Sequence, residues 1–181
     1  MKNLYILIAL LLALSIFPQK TYAAENHSGS SAQLIAYGDS ISNMQDPRVL
    51  ALKNVFNKYN SPLTPYADLY IKHADKNGVD WKLLPAISGL ESSFGRYYMP
   101  GSHNVYGWGG GYIYFQSWEE GIKNINKALK RNYIDKGADN VYSIGPIYAE
   151  SPTWAVRVNR FMEEINQEYI KISTSNLTVT L

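Results

Sequence analysis

The sequence contains no cysteine and only three histidines, and these absences exclude several kinds of site. Without cysteine the chain forms no disulfide, has no thiol nucleophile, and cannot bind zinc through thiolates or carry a lipid through a thioether. The histidines, His27, His73 and His103, are scattered and form no H-E-x-x-H motif, so no metal site is predicted. We expect the protein to work without a metal or another cofactor.

The chain also has little net charge of either sign. Its 17 basic and 15 acidic residues give a formal charge of +2 at pH 7. Lys2 and Lys20 lie in a predicted leader segment, and without them the two signs balance. A neutral chain lacks the basic surface that binds nucleic acid or anionic lipid, so neither is a predicted partner.

The first 23 residues have the organisation of a secretory signal peptide. Lys2 precedes an apolar run from Leu4 to Phe17, and small residues follow as far as Ala23. The apolar run is shorter than the roughly 20 residues that cross a bilayer as a permanent helix. We therefore expect cleavage after Ala23, secretion to the cell envelope, and no integral membrane span in the mature protein.

The remaining chain has the size of one globular domain. Residues 24–45 are predicted to be a flexible N-terminal segment, because the stretch 25–32 is polar and rich in Ser and Gly. The ordered domain is expected over residues 46–172. Residues 173–181 are uncharged and rich in Thr and Ser, which predicts a loosely held tail or a short edge extension. We expect a monomer.

Hydrophobic spacing predicts a mainly α-helical domain with a small β lobe. The predicted helices cover residues 47–59, 65–76 and about 80–95, and two more begin after a capping box at Ser117 and after Ser151-Pro152. The segment 96–116 is rich in Gly among aromatic residues, which excludes a long helix. It predicts a hairpin of two short strands, Asn104 to Trp108 and Tyr112 to Phe115, around three glycines.

One carboxylate is predicted to border the buried face of a helix. At about 100° per residue, Glu91 falls about 50° from the centre of the apolar stripe of the 80–95 helix. Partial burial disfavours the charged form of a carboxyl group, which suits a proton donor. Periodicity supports equally well a boundary carboxylate that reaches solvent or pairs with a lysine.

Aromatic residues are abundant, with 15 Tyr and 4 Trp. Flat rings stack on the apolar faces of sugars while their polar edges bond to hydroxyls, so this content suits a carbohydrate groove. Core packing explains many of these rings equally well. Trp154 is predicted to be a core residue because it lies on the apolar stripe of the last helix. Trp108, next to glycines, is predicted to be either a sugar platform or a packing residue of the hairpin.

Three motifs in the sequence resemble, in order, those of a known family. The first resembles the catalytic helix of lysozyme-like lytic transglycosylases and bacterial glucosaminidases, and reads Glu91-Ser92-Ser93-Phe94-Gly95 after Leu84-Pro85-Ala86-Ile87. The second is similar to the family's Asn-aliphatic-aromatic-Gly loop and reads Asn104-Val105-Tyr106-Gly107-Trp108. The third is similar to the Tyr-Ala segment and final helix of the glucosaminidases, with Tyr148-Ala149, Trp154-Ala155 and Val158. The sequence departs from the family at Glu150 and at Gly109-Gly110.

The resemblance implies an α+β lysozyme-like fold, in which a helical domain and a small β-hairpin lobe flank a cleft. It implies a secreted peptidoglycan hydrolase of the endo-β-N-acetylglucosaminidase type, which cleaves β-1,4 bonds in the glycan strands of the cell wall. Glu91 would be the general acid and base, and the side chain of Tyr148 would approach it. The remaining family positions would contact the substrate, namely Ser92, Asn104, Tyr106, Gly107 and Trp108.

A second catalytic carboxylate is not evident from the sequence. Glu119 and Glu120 are predicted to cap a helix, Asp139 lies in a predicted loop, and Glu150 is closest to Tyr148 in sequence. Related enzymes often manage with one Glu, because the 2-acetamido group or the 6-hydroxyl of the substrate completes the displacement. Hydrolysis and lytic transglycosylation, which releases anhydro-muramyl products, therefore both stay open.

Two alternatives belong to other functional classes. Gly38-Asp39-Ser40 follows an apolar stretch and could be the nucleophile block of an esterase. No Asp-x-x-His follows it and the alternating strand pattern is missing, so a turn is the better interpretation. The other alternative is a non-catalytic wall-binding module that has kept the groove without the chemistry, and the presence of Glu91 counts against it.

Overall fold

The computed structural model describes residues 45–178. The predicted signal peptide, nearly all of the predicted N-terminal segment with Ser40, and residues 179–181 lie outside the described residues.

Six α-helices account for most of the described chain, and the predicted mainly α-helical class is confirmed. They are α1 (Pro47–Lys58), α2 (Ala67–Asn77), α3 (Leu83–Ser92), α4 (Trp118–Asn132), α5 (Val141–Tyr148) and α6 (Trp154–Thr178). Short 3₁₀ helices cover Thr64–Tyr66, Trp108–Gly111 and Ile134–Lys136.

Local capping chemistry explains where several helices begin and end. Asp46 caps α1 by accepting a hydrogen bond from the backbone N–H of Arg48 at 2.8 Å, with a proline at the next position. Ser117 caps α4 by accepting from the backbone N–H of Glu120 at 3.2 Å. The Glu120 carboxylate in turn accepts from the backbone N–H of Gln116 at 2.6 Å, one residue before the capping residue. Gly78 ends α2 in the left-handed conformation, with φ of 62°.

The structure contains a helix that the hydrophobic pattern did not predict. Helix α5 is short and carries Gly145-Pro146 near its end, a pair that normally argues against a helix. Its start is fixed by a capping box, in which Asn140 Oδ1 accepts from the backbone N–H of Ser143 at 3.1 Å and the Ser143 hydroxyl accepts from the backbone N–H of Asn140. The spacing Asn140-x-x-Ser143 is the sequence pattern that indicates the start of this helix.

Helix α6 continues to Thr178, beyond the predicted domain end at residue 172. Residues 173–178 are therefore helical and form no edge strand. The hydroxyl groups of Thr174 and Ser175 donate to the carbonyls of Ile170 and Ile172, each at 2.9 Å, so these side chains bond to the helix that carries them.

The predicted β-hairpin is wrong, since residues 102–115, here called the Asn104 loop, contain turns and a 3₁₀ helix and no strand occurs within residues 45–178. All four glycines of the loop have positive φ, with 63° at Gly107, 62° at Gly109, 67° at Gly110 and 84° at Gly111. The side chain of Asn104 takes the place of a strand ladder. It donates to the carbonyls of Trp108 and Ile113, both at 2.9 Å, and accepts from the backbone N–H of Trp108 at 3.1 Å.

The core is built around α3, whose residues Leu83 to Gly89 are all buried. This helix packs closely on α6 because Gly89 has no side chain: a methyl group there would lie 2.7 Å from Phe94 Cζ and 3.0 Å from Phe161 Cγ. Helix α1 packs on the same stretch of α6, where Lys58 forms an ion pair with Glu164 at 2.6 Å. No helix among residues 45–178 is both long and apolar enough to cross a membrane.

Candidate active site

Glu91 lies at the C-terminal end of α3, where its side chain is exposed but one oxygen is fixed. Oε1 accepts a hydrogen bond from the indole N–H of Trp154 at 2.8 Å. Trp154 is the first residue of α6 and is only 3% exposed, so the donor belongs to the core. The structure thus gives a solvent-accessible carboxylate tied to the interior, which differs from the half-buried carboxyl that periodicity predicts.

An unusual turn ends α3 one residue after Glu91. Ser93 and Phe94 both have left-handed backbones, with φ of 51° and 57°, which is uncommon for residues other than glycine. Two hydrogen bonds close the turn, from the Phe94 N–H to the Ser88 carbonyl at 2.9 Å and from the Ser93 N–H to the Gly89 carbonyl at 3.1 Å. Phe94 is completely buried, so core packing holds the strained backbone and the helix stops where it presents Glu91 to solvent.

The structure corrects the predicted role of Ser92. Its side chain is buried, and its hydroxyl accepts from the backbone N–H of Gly95 at 2.9 Å. The hydroxyl also lies 2.9 Å from the carbonyls of both Ser88 and Val105, to which its hydrogen is donated. Ser92 therefore ties the end of α3 to the Asn104 loop and positions Glu91, with no group left to bind substrate.

Asn104 and Tyr106 are also directed inward, which corrects their predicted contact with substrate. Both side chains are buried, and the amide of Asn104 is used within its own loop, as described above. The Tyr106 hydroxyl shares a hydrogen bond of 2.8 Å with the hydroxyl of Tyr70 in the core. These two residues fix the shape of the loop from inside.

Gly107 is the point where the Asn104 loop meets the carboxylate. It is exposed and left-handed, with φ of 63°, and a methyl group at this position would lie 3.1 Å from Glu91 Oε2. Any side chain here would therefore be strained and would crowd the acid. The absence of a side chain lets the loop lie directly against Oε2.

Tyr148, the last residue of α5, supports the same loop. Its hydroxyl donates to the backbone carbonyl of Tyr106 at 2.7 Å, and its ring stacks on Trp154 with centroids 4.6 Å apart and planes 23° apart. Burial, then the negative charge of Glu91 and the neighbouring Tyr133, raise the pKa of Tyr148 well above its usual value. Tyr148 therefore lies near Glu91 as a hydrogen-bond donor that keeps its proton at neutral pH.

Aromatic rings line a pocket of about 400 Å³ beside these residues. Its walls are Gly107, Trp108, Gly109, Gly110, Tyr133 and Tyr148. The half-buried ring of Trp108 lies 5.8 Å from that of Tyr148, and Tyr133 lies 6.0 Å from Tyr148, centroid to centroid. A sugar ring fits a wall of this kind, since its apolar face can stack on the rings. The pocket borders Glu91 through Gly107.

The sequence patterns do not predict that Trp154 and Tyr133 belong to the site. Trp154 was assigned to the core alone, yet it also holds the carboxylate. A buried Trp needs a partner for its indole N–H, and this requirement was the available signal. Tyr133 follows the last residue of α4, outside all three motifs, and nothing in the local sequence indicates that it faces the pocket.

The other candidate acids lie elsewhere. Glu120 accepts from the backbone N–H of Gln116, Glu119 is exposed at the start of α4, and Glu150 is exposed just after α5. Asp139 lines a separate cavity with residues of α3, α5 and α6. The walls of the aromatic pocket include no carboxylate. Within residues 45–178, no three His, Asp or Glu side chains are grouped so that they could hold a metal ion.

No protein-family model matches the chain, and no curated protein matches it.

The hydrogen bond from Trp154 to Glu91 gives a first prediction. For the peptidoglycan cleavage proposed below, we expect Trp154→Phe to keep the stack on Tyr148 but to lower kcat by about 10- to 100-fold, because the freed carboxylate leaves its productive position. Kinetics on purified peptidoglycan would measure the loss. Trp81→Phe is the matched control, since Trp81 packs on Tyr169 away from the site. Equal rates for the Trp154 variant and the wild type would contradict a positioning role.

Proposed function

We propose that the protein is a secreted peptidoglycan hydrolase that cleaves β-1,4 bonds beside N-acetylglucosamine, with Glu91 as its general acid and base. One observation carries the proposal. A solvent-accessible carboxylate is held by a core tryptophan at 2.8 Å and lies against a glycine at the rim of an aromatic pocket. An acid fixed beside a sugar-sized pocket is the arrangement that protonation of a glycosidic oxygen requires.

The hydrogen bond from Trp154 distinguishes the two oxygens of Glu91. An indole N–H can only donate, so Oε1 is its acceptor. This leaves Oε2, on the side of Gly107, to carry the transferable proton. The proton would pass from Oε2 to the glycosidic oxygen as the bond from that oxygen to the anomeric carbon breaks.

A group of the substrate would complete the displacement. The aromatic pocket has no carboxylate in its walls, and Tyr148 donates its hydrogen to the Tyr106 carbonyl. We propose that the 2-acetamido oxygen of the sugar bonds to the anomeric carbon, and that water then opens this intermediate while Glu91 takes back a proton. The resemblance of the three sequence motifs to bacterial glucosaminidases supports the same reaction.

Analysis of the cleavage products tests this proposal. We expect the mature wild-type protein to release fragments with reducing N-acetylglucosamine ends from purified peptidoglycan, as measured by mass spectrometry. Anhydro-muramyl ends would instead show that the 6-hydroxyl attacks and that the protein is a lytic transglycosylase. Binding to the wall without any cleavage would overturn the enzymatic proposal and leave a wall-binding module.

A further inference from the structure

A second cavity, of about 530 Å³, lies between α3 and α6, and we call it the arginine pocket. It is lined by Tyr59, Gly89, Leu90, Ser93, Arg157, Arg160, Phe161 and Glu164. None of these residues belongs to the aromatic pocket. Gly89 and Phe161 meet in its lining, where the missing side chain of the glycine leaves room for the ring.

The arginine pocket carries uncompensated positive charge. Arg157 and Arg160 lie three residues apart on α6, so their side chains share one face of the helix. Both are exposed, and neither forms an ion pair with a residue in the described range 45–178. The carboxylate in the lining, Glu164, is already engaged: Oε1 accepts from Lys58 at 2.6 Å and Oε2 accepts from the Tyr59 hydroxyl at 2.8 Å.

The lining of this cavity includes residues that are close to Glu91 in sequence. Leu90 precedes the acid on α3, Ser93 follows the end of that helix, and Arg157 lies one helical turn beyond Trp154, which holds the acid. With a rise of about 1.5 Å per residue, the two arginines lie roughly 5 and 9 Å along the α6 axis from Trp154. A glycan strand bound at Glu91 would therefore bring the substituents of an adjacent sugar into reach of the guanidinium groups.

We propose that Arg157 and Arg160 form a subsite for a carboxylate of the glycan strand. This carboxylate belongs to the lactyl-peptide substituent on the sugar next to the cleaved bond. The inference rests on the proposed function and adds the chemical feature that the enzyme selects. A guanidinium group binds a carboxylate through paired N–H groups, and two of them in one concave site favour an anionic substituent over a neutral one. The strand would thus be held by stacking in the aromatic pocket and by charge in the arginine pocket.

The test compares intact glycan strands with the same strands after their carboxyl groups have been converted to amides. We expect the double variant Arg157→Gln/Arg160→Gln to raise KM for intact strands about 10-fold, with kcat little changed. On amidated strands the double variant and the wild type should have the same KM. Arg131→Gln, an exposed arginine on α4, removes one charge outside the pocket and should leave both substrates unaffected. Added salt should narrow the difference between the wild-type KM values for intact and amidated strands.

Two outcomes of the kinetic comparison would overturn the subsite, and a binding measurement separates it from the proposed reaction. The subsite is wrong if the double variant behaves as the wild type on intact strands, or if it loses affinity equally for both substrates. If the wild type cleaves neither, sedimentation of Glu91→Gln protein with intact strands still measures binding. Binding without cleavage that is weakened by the two arginine substitutions would support the subsite and reject the hydrolase. Binding that the arginine substitutions leave unchanged would reject the subsite.

Discussion

Glu91→Gln is expected to lower the rate of peptidoglycan cleavage by roughly 10²- to 10⁴-fold, the contribution typical of a positioned general acid. The glutamine has the shape of the glutamate, and its amide oxygen can still accept the Trp154 N–H. What it lacks is a proton that it can give to the glycosidic oxygen. Release of reducing sugar ends measures the rate, and thermal unfolding should show an unchanged midpoint.

Two other glutamates sharpen this test. Glu163, exposed on α6, is the matched control, and Glu163→Gln should keep full activity. Glu150→Gln tests whether the carboxylate nearest to Tyr148 in sequence is a second catalytic group. We expect this variant also to keep full activity. A loss at Glu150 as large as that at Glu91 would replace substrate assistance with a two-carboxylate mechanism. Full activity of the Glu91 variant would remove the proposed acid altogether.

Phe94→Ala is expected to lower the free energy of unfolding by about 3–5 kcal/mol. Phe94 is completely buried and its ring lies 4.6 Å from Tyr59, 5.2 Å from Phe161 and 5.6 Å from Phe56, centroid to centroid. Removing it empties the centre of this aromatic cluster. Alanine also gives no relief to the left-handed backbone at this position, since it too carries a Cβ.

Urea denaturation would measure the effect, with Tyr112→Ala as the control. Tyr112 is 84% exposed, so its removal should change stability by no more than about 0.5 kcal/mol. A Phe94 variant that unfolds at the same urea concentration as the wild type would show that the aromatic cluster does not hold the end of α3.

Much of the fold follows from local sequence, because helix periodicity and capping residues act over a few positions. Ser117 marks the start of a helix in the sequence and in the structure. The predicted secondary structure is wrong in those segments where the hydrogen bonds of one side chain outweigh the local sequence pattern. Asn104 replaces a hairpin ladder with its own amide, and Asn140 starts a helix that a glycine and a proline argue against.

The site shows the same division between local and long-range information. Glu91 could be singled out because its helix and its motif are local features. Its partner Trp154 is 63 residues away, and no periodicity connects them. The motifs predict substrate contacts for Tyr106 and Ser92 because a motif gives the position of a residue but not the direction of its side chain. Only the packed structure shows that both side chains turn inward.

The short connection between α5 and α6 has a consequence for how the chain can vary. Tyr148 ends one helix and supports the Asn104 loop, Trp154 begins the next and holds the acid, and only residues 149–153 separate them. Their rings must also remain stacked. Surface connections usually accommodate inserted residues at little cost. This one sets the spacing of two supports for a single carboxylate, so the position of Glu91 constrains its length even though residues 150–153 are exposed.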